Sequence, residues 1–140
     1  MSVFVDTAVI MYAGGGEHRM RDPSRRLLEA TVDGAIDAVT SAEVIQEIYH
    51  RFTALDDRSR GAAMAEAALD VFGLVLPVTD SVMRRMTDLV LRFPNLSARD
   101  LVHVATCADA RIDIIVSPDR AFDEVAGLER IDPLEVDILL

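Results

Sequence analysis

The chain has 140 residues, a length suited to one domain spanning 1–140, and 51% of them are hydrophobic, enough for a sizeable core. All 14 basic residues are Arg, and the missing Lys excludes a Walker-type phosphate loop, a Schiff-base enzyme and a protein kinase. The 24 acids leave a formal charge of −10, which argues against a non-specific DNA-binding module but not against an enzyme holding cations among carboxylates.

Ser2 to Val5 is a short apolar, β-branched run ending at Asp6, which predicts a strand buried on both faces. Thr7 to Tyr12 begins a helix that Gly14, Gly15 and Gly16 stop. The glycine run lacks the rest of a dinucleotide fingerprint, because position 19 is Arg, and reads as a plain loop. Glu17 to Thr31 is helical in composition, with Asp22-Pro23 suited to a cap followed by a first-turn proline. Asp37 to Thr40 is a brief strand. Ser41 then caps a helix running to about Leu55, with Val44, Ile45, Ile48 and Phe52 at helical spacing.

Arg58 to Phe72 is Ala-rich and helical, Gly73 ends it, and Leu74 to Val78 is the next strand. Asp80 to Phe93 is a helix whose Met83, Met86, Val90 and Phe93 are expected to face inward as core filler. After a break at Pro94-Asn95, Ser97 to Ala110 forms a helix with Leu101, Val104, Ala105 and Ala108 on one face. Asp113 to Val116 is a strand, Ser117-Pro118-Asp119 its exit, and Glu129 to Ile131 a last short strand before Asp132-Pro133. Strands alternate with helices throughout, with no repeat or linker between them. The expected class is α/β, with a mainly parallel sheet covered on both faces.

The single Cys107 excludes an internal disulfide and a Cys-rich zinc site. No signal-peptide pattern follows Met1, and no apolar run approaches the roughly 18 residues that span a bilayer, so the chain reads as soluble and cytoplasmic, with no membrane partner. His18, His50 and His103 show no paired ligand spacing, and His50 and His103 are expected on helix surfaces.

Four acids fall where chemistry collects. Ligands of open parallel sheets gather outside the carboxyl ends of strands, and Asp6 and Asp119 each follow one. Asp100 sits in the first turn of its helix, and Glu47 projects from the helix opened by Ser41. Each has a plain alternative: Asp6 or Asp119 as a cap, Ser97 with Asp100 as a variant capping box, Glu47 as a solvated surface residue.

Taken jointly the pattern is more specific. Val3-Phe4-Val5-Asp6-Thr7, Thr40 to Ile48 around Glu47, Leu96 to Ala105 around Asp100, and Ile114 to Asp123 around Asp119 follow one another in order across nearly the whole chain. In that register the sequence resembles the PIN-domain ribonucleases, specifically the VapC toxins of prokaryotic toxin–antitoxin pairs. The resemblance implies a PIN-like α/β/α sandwich in which Asp6, Glu47, Asp100 and Asp119 converge as a catalytic quartet, with the metal held by Asp6, Asp100, Asp119 and Asp123, the last an accessory acid one turn beyond Asp119. Glu43 shares a helix face with Glu47 and is its rival, Glu47 being preferred by register. Ser117 where the family often has Thr, and Pro118 beside the acid, are mild departures.

By the same resemblance the activity is Mg²⁺- or Mn²⁺-dependent endonucleolytic cleavage of RNA. Clustered carboxylates call for such a cation, which lowers the pKa of a bound water and offsets charge on the leaving oxygen. Thr7 and Ser117 are placed to bond a carboxylate or a phosphate. Arg19, Arg21, Arg25, Arg26, Arg99 and Arg120 are candidates for drawing RNA to an acidic protein. The resemblance further implies a VapB-like antitoxin, a homodimer and a toxin–antitoxin hetero-oligomer. A dehalogenase-type phosphotransferase is disfavoured by Ala8, which stands where its second Asp belongs, and by the missing Lys. A PIN fold acting as a non-catalytic binding or scaffold module is the alternative of a different class.

Overall fold

The computed structural model describes residues 1–140. Five strands, β1 (Val3–Val5), β2 (Ala38–Ser41), β3 (Val75–Leu76), β4 (Ile114–Val116) and β5 (Glu129–Ile131), form one parallel sheet in the order β3-β2-β1-β4-β5. Phe4 of β1 pairs with Val39 on one side and Ile115 on the other, so β1 is central. All three of its residues are buried, as continuous apolar strands under helices on both faces must be.

The helices are α1 (Thr7–Gly14), α2 (Arg21–Val32), α3 (Ala42–Ala54), α4 (Arg58–Val71), α5 (Asp80–Arg92) and α6 (Ala98–Ala110), with 3₁₀ turns at Arg120–Glu124 and Pro133–Leu139. Helices α1 to α4 pack on one another, and α5 packs on α6. Right-handed crossovers place these groups on opposite faces of the sheet, giving an α/β/α sandwich. The strand order reverses between β1 and β4, and the chain leaves both strands at the same edge. That edge is the crevice in which open α/β sheets place their ligands. One cluster of 30 buried hydrophobic residues runs from Val3 to Val136. No helix is long and apolar enough to cross a membrane.

Three local expectations change. The helix expected from Glu17 begins at Arg21, and its N-cap is Met20, not Asp22. The turn before it is tied instead by the Met20 N–H donating to His18 Nδ1 at 3.1 Å. In α5 the inward stripe is Val82, Met86, Leu89 and Phe93, whereas Met83 and Val90 are 44% and 48% exposed. That stripe keeps the i, i+4, i+7, i+11 spacing of one helix face, and Met83 and Val90 lie beside it. In α6 the buried arc is broader than one stripe, taking in His103, Thr106 and Cys107 while Ala108 is exposed.

Candidate active site

The chain turns from strand to helix at Asp6, and that turn fixes its carboxylate. Asp6 is the N-cap of α1, and Oδ1 accepts the Thr7 N–H at 2.8 Å. Oδ2 accepts the Ser117 hydroxyl at 2.6 Å, from the exit of β4. Asp100 and Ser97 form a capping box at the start of α6, each side chain accepting the other's backbone N–H. Asp119 caps the first 3₁₀ turn, Oδ1 accepting the Ala121 N–H at 2.9 Å, and its own N–H donates to Ser117 Oγ at 3.1 Å. For these three Asp the cap and the site coexist, because the cap bonds hold the side chains at helix N-termini that open on one crevice.

Asp6, Glu47, Asp100 and Asp119 together line a cavity of about 570 Å³. Thr7, Tyr12, His50, Arg51 and Arg99 share its wall. Glu47 lines it and Glu43 does not, the latter lying 3.9 Å from Arg99. Asp123, expected as an accessory acid, is outside the lining: its two oxygens take Arg130 Nε at 2.8 Å and Nη2 at 3.3 Å. The same Arg130 donates to Ser117 O at 3.0 Å, so Asp123 is tied through Arg130 to the exit of β4.

Of the arginines expected near the site, only Arg99 is in the lining. Arg25 donates to Ala13 O at 2.8 Å behind α1, and Arg19 and Arg120 lie elsewhere on the surface. The sequence reading missed Arg51, and it took His50 only as the exposed helix-surface residue that it is. They stand four and three residues beyond Glu47 on α3, the spacing that puts them on its face.

The largest correction is His103. It is fully buried, not on the helix surface, with Nε2 3.0 Å from Glu47 Oε1 and 3.6 Å from Asp6 Oδ1. These groups titrate as a set. Burial pushes the Asp6 carboxyl above its ordinary value, against the charge of His103 and the bonds from Ser117 and Thr7. Burial also works against ionised Glu47, but the bond and charge of His103 outweigh it and hold Glu47 low. Burial alone would lower His103, and the Glu47 bond with the Asp6 charge raises it instead.

No three His, Cys, Asp or Glu side chains stand close enough together to hold a metal ion as they are placed; the acids line an open cavity. Thr7 is buried there with a hydroxyl that has no hydrogen-bond partner.

The sequence matches the PIN domain family over residues 3–128. It is 36% identical over 129 residues to ribonuclease VapC13 of Mycobacterium tuberculosis, covering 92% of this chain and 98% of that protein. Ribonuclease VapC7 of the same organism is 36% identical over 132 residues, covering 94% and 91%. Among solved structures, VapBC2 of Rickettsia felis bound to a promoter DNA fragment superposes with a TM-score of 0.75 at 12% identity, covering 94% of this chain and 98% of that one. The M. tuberculosis toxin VapC20, which cleaves the sarcin–ricin loop, gives 0.69 at 17% identity, covering 90% and 98%.

Proposed function

The chain belongs to the PIN-domain family and, within it, to the VapC ribonucleases, and on that premise we propose that it is a divalent-cation-dependent endoribonuclease acting as the toxin of a toxin–antitoxin pair. The observation that carries the reading is the meeting of Asp6, Glu47, Asp100 and Asp119, from four separate elements, on one cavity.

The donor set fits a hard cation. It consists of carboxylate oxygens plus the unpartnered Thr7 hydroxyl, with no thiolate and no paired imidazoles. Asp6, Glu47, Asp100 and Asp119 would hold the ion. Bound there, Mg²⁺ or Mn²⁺ supplies a water of lowered pKa and charge to offset the leaving oxygen.

The remaining work falls to the chain's own groups. Ser117 and the Thr7 N–H fix Asp6 in one orientation, so no side-chain reorganisation is needed when RNA arrives. Glu47 is kept ionised by His103, which engages Oε1 and leaves Oε2 free to face the cavity. Arg99 and Arg51, in the same wall, provide the local positive charge that a phosphodiester requires on a protein of net charge −10. An antitoxin is the proposed partner, on the strength of family membership; it and any homodimer would be read from co-purification with the adjacent gene product and from sedimentation of the toxin alone.

The test is cleavage of total RNA by purified, antitoxin-free protein in Mg²⁺ or Mn²⁺, with and without EDTA. Cleavage that EDTA abolishes, leaving 5′-phosphate ends, is expected. RNA left intact with both metals would favour the non-catalytic binding module.

A further inference from the structure

His103 is a histidine inside the protein with nothing but function to recommend it. Its side chain is completely enclosed, Phe4 leans against the imidazole with ring centroids 5.5 Å apart, and Nδ1 has no hydrogen-bond partner. A buried ring nitrogen left unpaired is destabilising, a cost that an apolar residue here would avoid. The other nitrogen carries the contacts. Nε2 reaches Glu47 Oε1 at 3.0 Å and lies 3.6 Å from Asp6 Oδ1. In either charge state Nε2 must bear the hydrogen, because both neighbours are carboxylates.

The two acids it joins are held very differently. Asp6 is 7% exposed and already fixed by Thr7 and Ser117, so it needs no further tie. Glu47 is half-buried on α3, and its strongest side-chain tie is the hydrogen bond to His103, with a weaker contribution from the Thr7 side chain. Remove the imidazole and Asp6 stays in place, while Glu47 is free to relax towards water.

We infer that His103 is a positioning residue whose Nε2–H ties Glu47 to the fixed Asp6 and so sets the affinity of the acid cavity for a divalent cation. The inference rests on the metal-dependent reading above. Partners that orient metal-binding side chains are typically worth about 10- to 100-fold in affinity.

The experiment titrates Mn²⁺ into the full chain without RNA, reading free Mn²⁺ by electron paramagnetic resonance, for wild type, His103→Gln, His103→Asn and His103→Leu. Gln places its amide N–H where Nε2 lies, whereas Asn reaches only the Nδ1 position and Leu has no donor. Gln is expected to stay within about threefold of wild type, with Asn and Leu weaker by about 10- to 100-fold. Circular dichroism and thermal melts identify any variant that fails to fold, and the Gln–Asn comparison decides the matter if Leu does. Equal Mn²⁺ affinity in Gln and Asn variants, with wild type binding, overturns the positioning role alone. Wild type that binds no Mn²⁺ overturns the metal-dependent reading and this inference with it.

Discussion

The Ser117 hydroxyl donates to Asp6 Oδ2 at 2.6 Å across 111 positions of sequence. The bond joins the exits of the two central strands, β4 and β1, which are parallel neighbours with Val116 beside Val5. Ser117 Oγ also accepts the Asp119 N–H at 3.1 Å, so one buried hydroxyl orients one acid and anchors the backbone of another. The site is thereby wired into the sheet, and its acids can be perturbed one at a time.

Asp6→Asn is expected to abolish RNA cleavage and yet stabilise the protein. A lost ligand should cost more than the roughly 10- to 100-fold of a lost outer partner. Burial raises the Asp6 carboxyl in the fold, so the folded chain holds that proton more tightly than the unfolded chain. Stability is therefore lost as pH rises from the ordinary aspartate range through the raised value, and the full penalty is present at neutral pH. In EDTA the variant should melt higher than wild type at pH 7, with the gain shrinking towards pH 4. A lower melting temperature at pH 7 would count against this account.

Asp119→Asn and Asp123→Asn should separate cleanly despite being four residues apart. Arg130 hydrogen-bonds Asp123 and holds it below the usual carboxylate range, while Asp119 lines the cavity. Mn²⁺ affinity, measured by calorimetry, should fall at least about tenfold for Asp119→Asn and remain within about threefold for Asp123→Asn. Comparable losses in both would return Asp123 to the metal set.

Gly61→Ala should destabilise the fold, although Ala for Gly within a helix normally contributes about 1 kcal/mol. A Cβ at position 61 would stand 2.7 Å from Phe52 Cβ, where α4 crosses α3. Relieving that overlap shifts a packed helix, at a cost of about 1–3 kcal/mol. Urea unfolding should show a lower midpoint with an unchanged slope.

Cys107 should be inert while the protein is folded. It is 1% exposed, and burial, with a smaller contribution from the Asp6 charge, pushes the thiol up to about 12. Thiolate is the reactive form, so iodoacetamide at pH 8 has to wait for the fold to open. Labelling at least about a thousandfold slower than in guanidinium is expected, since opening costs several kcal/mol. Rapid modification of native protein would show that α6 opens locally.

Much was legible in the chain because strand and helix periods are local. The run Val3 to Val5, the Ser41 cap and the Ser97–Asp100 box all formed as their residues dictate. The acids were legible for the same reason, since each Asp sits at a strand exit or a first turn. Arg51 was legible by helical spacing from Glu47 but went unread, and His50 was read only as a helix-surface residue. His103 was not legible: on α6 it neighbours the apolar stripe, and only the sheet edge and α3 closing over it make that position interior.

Residue order alone determined the α/β alternation, the places where helices begin, and which acids stand at strand ends, because those depend on contacts within a few residues. The tertiary structure alone decided that Asp123 turns to Arg130 and that an enclosed imidazole bridges Asp6 and Glu47, and it placed Glu47, already preferred by register, on the cavity. Those outcomes follow from packing between segments far apart in the chain, where burial and opposing charge, not local preference, choose each side chain's partner.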